Sequence, residues 1–238
     1  MSIPGEANSA PRLEEHPAQG WWFRRWAGRR VMAGIADRHT DLTQWLRDFE
    51  RSGCTVGAEQ VHGSSVAIIE HGASAATVVA GADALLTRVP DVALLVRTAD
   101  CLPVFFADPP RGVVGIAHAG WRGLAASLLA RVVSALRHTC HSQASELRVA
   151  LGPAIRVCCY EVGAEFRERF GPFVRERGGR WMCDLVGVAR AQLEQCGVRS
   201  DRILDSQRCT ACEPQHWFSV RREGDGTGRL TSLIMLRP

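Results

Sequence analysis

The chain contains no lysine: all 29 of its basic residues are arginine. That removes Schiff-base catalysis and a Walker-type phosphate loop, both of which need the lysine amine. No run of 18 or more apolar residues occurs, so no segment reads as a membrane-spanning helix and no membrane partner is expected. Residues 1–20 lack a positive start followed by an apolar core, so they do not read as a secretory signal. They read instead as a disordered N-terminal tail, and the expected location is cytoplasmic. There the nine cysteines serve as thiols or ligands. Their odd number, with Cys158 and Cys159 adjacent, fits poorly with a disulfide framework. The eight histidines include no His-x-His pair, which excludes a multicopper cluster. A formal charge of +4, spread over scattered arginines, argues against a nucleic-acid partner.

What is present describes a globular protein. Of the 238 residues, 46% are hydrophobic and 23% charged, enough for a substantial core in one domain spanning 21–238. Residues 21–50 suggest a strand and then a short helix, capped by Asp41 with Leu42, Trp45, Leu46 and Phe49 on one face. Residues 55–70 read as paired strands around a His62-Gly63 turn. Short β-branched runs at 92–98, 104–107, 113–117 and 148–152 read as buried strands. The period changes at 124–140, where Leu124, Leu128, Leu129, Val132, Val133 and Leu136 share one helical face. Helices are expected at 165–175 and 186–196, and two final strands at 217–220 and 230–236. Without a strict βα alternation, the fold class is α+β, a layered arrangement of mixed sheet and helices.

Three residues carry metal-binding chemistry: His62 in EQVHGSS, Cys101 in TADCLPV and His118 in GIAHAGW. Each falls at a strand end or turn, where side chains from different strands can meet. Cysteine sulfur and histidine nitrogen suit zinc, and three protein ligands leave a position open for chemistry. A lone histidine or cysteine is more often structural, and spacing alone does not establish convergence. One adventitious copper in the same site is the most that copper chemistry is left. The pair Cys209 and Cys212 also has metal-ligand spacing, but no second pair stands nearby in the sequence, so it reads as a strand-end cysteine and a bystander. The H-x-E element of zinc deaminases is missing.

Arg122 and Gly123 stand at the start of the expected long helix, a favourable place for phosphate, although Arg122 can equally pair with a local carboxylate. Asp100 is a candidate to orient a ligand or shuttle a proton, or else to cap the turn before Leu102. In the segment FSVRREGDGTGR, Ser219, Arg221, Arg222 and Arg229 surround an expected hairpin. There Arg221 and Arg222 would face opposite sides, so only one can point into a site. Ser219, Arg222 and Arg229 are the candidate substrate contacts.

The segments QVHGSSV, ADALLT, TADCLPVFF, GIAHAGWRG, LGPAIRVCCYEVG and CT…WFSVRREGDGTGR occur in this order in one family. Over residues 55–238 the chain resembles the YfiH-type proteins, formerly described as multicopper polyphenol oxidases or laccases. The resemblance implies a layered α+β sandwich and zinc held by His62, Cys101 and His118. It also implies purine nucleoside phosphorylase activity, in which phosphate attacks C1′ of a purine nucleoside. Adenosine deamination and methylthioadenosine phosphorolysis are implied as side activities. The chain departs from the family at RRWAGRRVMAGIADRHTD, where members have a Gly/Ser-rich loop. Two other readings stand beside this one: a cysteine-type amide hydrolase acting on peptidoglycan precursors, with Cys101 as nucleophile and His118 as base, and a non-catalytic module. The sequence leaves monomer and homodimer open.

Overall fold

A strand covered on both faces shows an unbroken apolar run, because neither set of alternating side chains meets water. The runs at 92–96, 104–107 and 113–117 have that character, and the fold explains why. The computed structural model describes residues 11–16, 20–24, 26–50, 54–72 and 76–238. In chain order its strands begin with β1 (Arg12–His16), β2 (Gly20–Arg24), β3 (Val31–Ala36), β4 (Cys54–Ala58), β5 (Val66–Ile69) and β6 (Thr77–Val79). They continue with β7 (Ala84–Thr87), β8 (Val92–Thr98), β9 (Leu102–Asp108), β10 (Val113–Ala119), β11 (Arg148–Leu151) and β12 (Glu161–Val162). The last are β13 (Val174–Arg177), β14 (Arg180–Cys183), β15 (Ile203–Asp205) and β16 (Leu230–Leu236). The helices are α1 (Leu42–Glu50), α2 (Trp121–Ala125), α3 (Leu128–Cys140), α4 (Phe166–Phe170), α5 (Leu185–Gln195) and α6 (Val220–Glu223).

Two mixed sheets carry the molecule. The first has the order β1-β2-β3-β16-β8-β4-β6, the second β15-β11-β9-β10-β7-β5, and β12-β14-β13 form a small third sheet. The two large sheets pack face to face. Leu85, Phe105, Ile116 and Ala150 of the second meet Trp21, Phe23, Ile35, Leu94 and Ile234 of the first in one buried cluster. The alternate residues of the same strands, Leu86, Val104, Phe106 and Ala117, turn the other way. They pack with Leu129, Val132, Val133 and Leu136 of α3 and with Val186, Ala189 and Leu193 of α5. On the outer face of the first sheet, Trp45 and Leu46 of α1 cover Ala36, Ala93, Leu233 and Met235. The result is a layered α+β sandwich, as expected from the sequence.

Several expectations are corrected. Arg12–His16 is a strand paired with β2, so the expected tail is not loose over those five residues; 1–10 and 17–19 lie outside the described residues. The strands of 55–70 do not pair with each other. β4 belongs to the first sheet and β5 to the second, so His62 lies where the chain crosses between sheets. The helix expected over 124–140 is two helices, broken at Ser127, whose φ of 60° is incompatible with continuing an α-helix. The helix at 165–175 ends at Phe170, because Pro172 lacks the N–H that the next turn requires, and the chain then enters β13. The strand at 217–220 does not form either: the Ser219 hydroxyl accepts the Arg222 N–H and caps the single turn of α6. On α1, Asp41 caps as expected by accepting the Gln44 N–H at 3.1 Å, but Leu42 is exposed. The side chain of Phe49 lies outside the described set.

Gly115, in the centre of β10, tests the tightness of this packing. A Cβ added there would lie 2.2 Å from Leu86 Cδ2 and 3.1 Å from the Leu85 carbonyl oxygen. Gly115→Ala is expected to cost about 1–3 kcal/mol, seen as a lower denaturant midpoint at unchanged slope. Unaltered stability would show that the second sheet is not packed as described.

Candidate metal and anion site

His118 lies near the end of β10, Cys101 in the turn between β8 and β9, and His62 in the crossing from β4 to β5. The fold brings all three together, with ligand atoms within 4.8 Å of one another. The two imidazole rings stand at 81° with centroids 4.8 Å apart, so neither stacks flat on the other. Gly120 closes the cradle. A Cβ there would meet Cys101 Sγ at 3.1 Å and His62 Cδ2 at 3.3 Å, so a side chain would push into the donors. One sulfur and two imidazole nitrogens fit a borderline-soft divalent cation, and a tetrahedral ion would keep one position free.

The trio is held by a residue that spacing did not reveal. Asp83, at the head of β7, is fully buried. One carboxylate oxygen accepts from His118 Nδ1 at 2.9 Å and from the His62 amide at 3.0 Å; the other accepts from the Gly63 amide at 2.7 Å. Asp83 therefore fixes the His118 tautomer, leaving Nε2 to face the cradle, and anchors the turn that carries His62. That turn places His62 in the left-handed region at φ 60°, and Asp100 beside Cys101 has φ 93°. Such conformations cost of order 1–3 kcal/mol each and persist only where surrounding contacts determine them.

Electrostatics follow from this geometry. Burial pushes the Asp83 carboxyl up, but His118 and the amides of Gly63 and His62 outweigh it, so its pKa lies below the ordinary value. Burial alone would lower His118; the hydrogen bond to Asp83 and the Cys101 neighbour instead raise it to about 9. Burial alone would raise Cys101; hydrogen bonds and charge from His118 and His62 bring it down to about 7. Without a cation, the centre is thus a thiolate–imidazolium pair around neutral pH.

These donors open into a cavity of about 610 Å³, within the range of small-molecule sites. Its wall includes Arg97, Arg122, Arg221 and Arg229, with Tyr160 and Trp121. Among the described residues, none of these four arginines has a carboxylate partner. Arg122 lies over the Trp121 ring at 4.6 Å, and Arg221 over the Tyr160 ring at 5.3 Å. Asp100 lines the cavity too, but both its oxygens are engaged, by the Thr210 hydroxyl at 2.6 Å and the Arg221 amide at 2.7 Å.

Two expected substrate contacts are not on this wall. Ser219 is fully buried as the α6 cap. Arg222 is tied up by the carbonyls of Thr210, Ala211 and Trp217 and by Glu223. Only one of the adjacent arginines faces the cavity, as expected, but it is Arg221. The strand assumption selected the wrong one, because a helical turn orients neighbours differently.

Residues 34–237 match the family described as "Multi-copper polyphenol oxidoreductase laccase". The chain belongs to this laccase-like family. It is 36% identical over 216 residues to the purine nucleoside phosphorylase YlmD of Geobacillus stearothermophilus, covering 84% of this chain and 78% of that protein. It is 38% identical over 185 residues to the purine nucleoside phosphorylase YfiH of Escherichia coli K12, covering 76% and 73%. The crystal structure of YlmD from Geobacillus stearothermophilus superposes with a TM-score of 0.82 at 29% identity, covering 96% of this chain and all of that one.

For this laccase-like chain, the residues missed from sequence are instructive. Asp83 was visible as a lone carboxylate just before the apolar run Ala84–Leu86 of β7. A buried charge there had to have partners. Arg97 breaks the apolar run of β8 at an exposed position. Tyr160 carried no local signal, and Arg221 was named only as the alternative to Arg222.

The thiolate–imidazolium pairing is testable on metal-free protein. Alkylation of the Cys101 peptide, followed by mass spectrometry, is expected to rise with a midpoint near pH 7. In Asp83→Asn the His118 charge loses its partner, so the thiolate loses its cation and the midpoint moves up toward about 8.5. A midpoint near 8.5 in both proteins would contradict this electrostatic account.

Proposed function

We propose that this chain is a zinc-dependent purine nucleoside phosphorylase, converting a purine nucleoside and phosphate to free base and ribose 1-phosphate. The observation that carries this reading is one cavity with three metal-ligating side chains on one side and, around it, four guanidiniums without carboxylate partners among the described residues. The printed names of two relatives support it. Residues 21–238 are proposed to act as one catalytic domain, and the expected setting is the cytoplasm.

In phosphorolysis a phosphate oxygen bonds to C1′ while the C1′–N9 bond breaks. The electron pair leaves with the purine, which takes up a proton. A dianion must therefore be held beside a sugar carbon that becomes electron-poor. Arg122 is the first candidate for that task, since a guanidinium binds phosphate through two parallel hydrogen bonds. Arg97, Arg221 and Arg229 add positive potential from three other parts of the wall. Asp100 acts by positioning, because its two hydrogen bonds join Thr210 and the start of α6 to the β8–β9 turn. Burial raises the Tyr160 phenol well above its ordinary value, so it stays protonated as a hydrogen-bond donor. Zinc held by His62, Cys101 and His118 would supply Lewis acidity with one position open to the cavity.

We propose adenosine deamination and methylthioadenosine phosphorolysis as side activities of the same cavity. One observation favours a cysteine hydrolase instead: Cys101 at about 7 beside His118 at about 9. The convergence of a second imidazole, His62, on the same sulfur favours metal binding over a nucleophile that must remain free.

Purified protein with inosine or adenosine and phosphate is expected to yield hypoxanthine or adenine, and to lose that activity to a chelator. Arg122→Ala is expected to raise KM for phosphate about tenfold or more, the effect of losing a charged hydrogen bond. No free base from any purine nucleoside would end the proposal. Chelator-resistant amide hydrolysis abolished by Cys101 alkylation would favour the hydrolase, and activity unchanged in Cys101→Ala and His118→Ala would favour a non-catalytic module.

A further inference from the structure

Cys209 and Cys212 are not a lone pair. The fold sets them against Cys158 and Cys159, about fifty residues away in the chain, and all four sulfurs lie within 4.8 Å of one another. Cys158 Sγ is 3.6 Å from Cys209 Sγ and 3.5 Å from Cys212 Sγ, while Cys159 Sγ is 3.3 Å from Cys212 Sγ. A tetrahedron with four zinc–sulfur arms of about 2.3 Å has edges of about 3.8 Å, close to these separations. Disulfides would show a different pattern, two sulfurs about 2.05 Å apart and the others excluded. Here Cys212 is nearly equidistant from both members of the adjacent pair.

The surroundings are those of a ligand cluster. The Cys209 amide is held by Glu213 at 3.1 Å, and the Thr210 amide by the Ala154 carbonyl at 3.1 Å. The turn carrying Cys158 and Cys159 closes by Cys159 and Tyr160 amides donating to the Arg156 carbonyl, at 2.9 and 2.8 Å. Both halves are therefore preset by their own backbones. Among the described residues the group consists of sulfur alone, and four soft donors select zinc over magnesium or calcium.

We propose that Cys158, Cys159, Cys209 and Cys212 bind one zinc ion as a closed, four-thiolate structural site, separate from the His62–Cys101–His118 centre. It fastens two segments that form the cavity wall. Tyr160 directly follows one cysteine pair; Thr210, which holds Asp100, lies inside the other. Arg221 ties α6 to the first of these segments by donating to the carbonyls of Cys159 and Glu161 at 3.4 and 2.8 Å. The ion is thus a clip on the rim rather than a participant in chemistry. The binding claim itself does not depend on the proposed phosphorylase reaction.

The test is zinc content and sulfur coordination in the full chain, purified with zinc and then desalted. His62→Ala/His118→Ala lacks the first centre, so any ion it keeps reports on the four cysteines. It is expected to hold one zinc per chain, with X-ray absorption showing four sulfurs at about 2.3 Å. Adding Cys209→Ser and Cys212→Ser is expected to release that ion. In an otherwise wild-type chain, the two serine substitutions should lower the zinc content by one per chain, a measurement that serves if the histidine variant does not fold. The proposal is overturned if the histidine variant binds no zinc, if the serine substitutions leave zinc content unchanged, or if non-reducing mass spectrometry finds a disulfide among these four cysteines.

Discussion

The site depends on one buried carboxylate. Asp83 stands at the head of a strand with no polar side chain until Thr87, and it cannot be solvated there. Its charge is offset only by the His118 imidazole and the amides of His62 and Gly63. The need to satisfy that one charge sets the tautomer of one metal-binding residue and the turn geometry of another. Because His62 sits where the chain passes from the first sheet to the second, the same contact ties the sheets together at the cavity. Stability and site geometry share a single origin here.

Around this point the layers have distinct tasks. The second sheet, covered by the first on one face and by α3 and α5 on the other, is rigid and carries His118. The cavity wall facing it is built from turns: 97–101, 155–160 and 209–229. Trp217 anchors the last of these segments in the core, and hydrogen bonds such as Asp100 to Thr210 and Arg221 to the Cys159 and Glu161 carbonyls hold them to one another. A buried donor platform opposite an arginine-bearing wall suits a ligand with one fixed atom and a charged group that must be gripped. The turn at 37–40 bears on the same wall. Arg38 pairs with Glu223 at 3.1 Å, its guanidinium lies over Phe218, and its amide donates to the His216 carbonyl. The 37–40 turn thereby braces the C-terminal segment from behind.

The legibility of the sequence tracked the range of the forces involved. Strands β8 and β16 are written in consecutive residues and their limits could be read closely, and the apolar face of α3 was legible although the break at Ser127 was not. The triad was also legible, because His62, Cys101 and His118 stand in unusual local contexts and their motifs resemble a known family. Interactions closing over long loops were hidden. Asp83 meets His118 across 35 residues, and Cys158 meets Cys212 across 54. Nothing near Cys209 announced its partners, so the pair looked incomplete. The misassigned strand at 217–220 had a different cause: Ser219 could serve as a cap or as a strand residue, and only its burial beneath α6 decides between them. Choosing Arg222 over Arg221 followed directly from that error.

The central claim is that three donors, distant in sequence, share one metal ion that faces the arginine-lined cavity. Anomalous diffraction from crystals, recorded above and below the zinc absorption edge, addresses it without any assumption about substrate. The account requires an edge-dependent peak bonded to His62 and His118 nitrogen at about 2.0–2.1 Å and to Cys101 sulfur at about 2.3 Å, with its remaining side open to the cavity. It is contradicted if no peak appears between those three side chains in zinc-loaded crystals, or if a fourth protein ligand closes the ion off from the cavity.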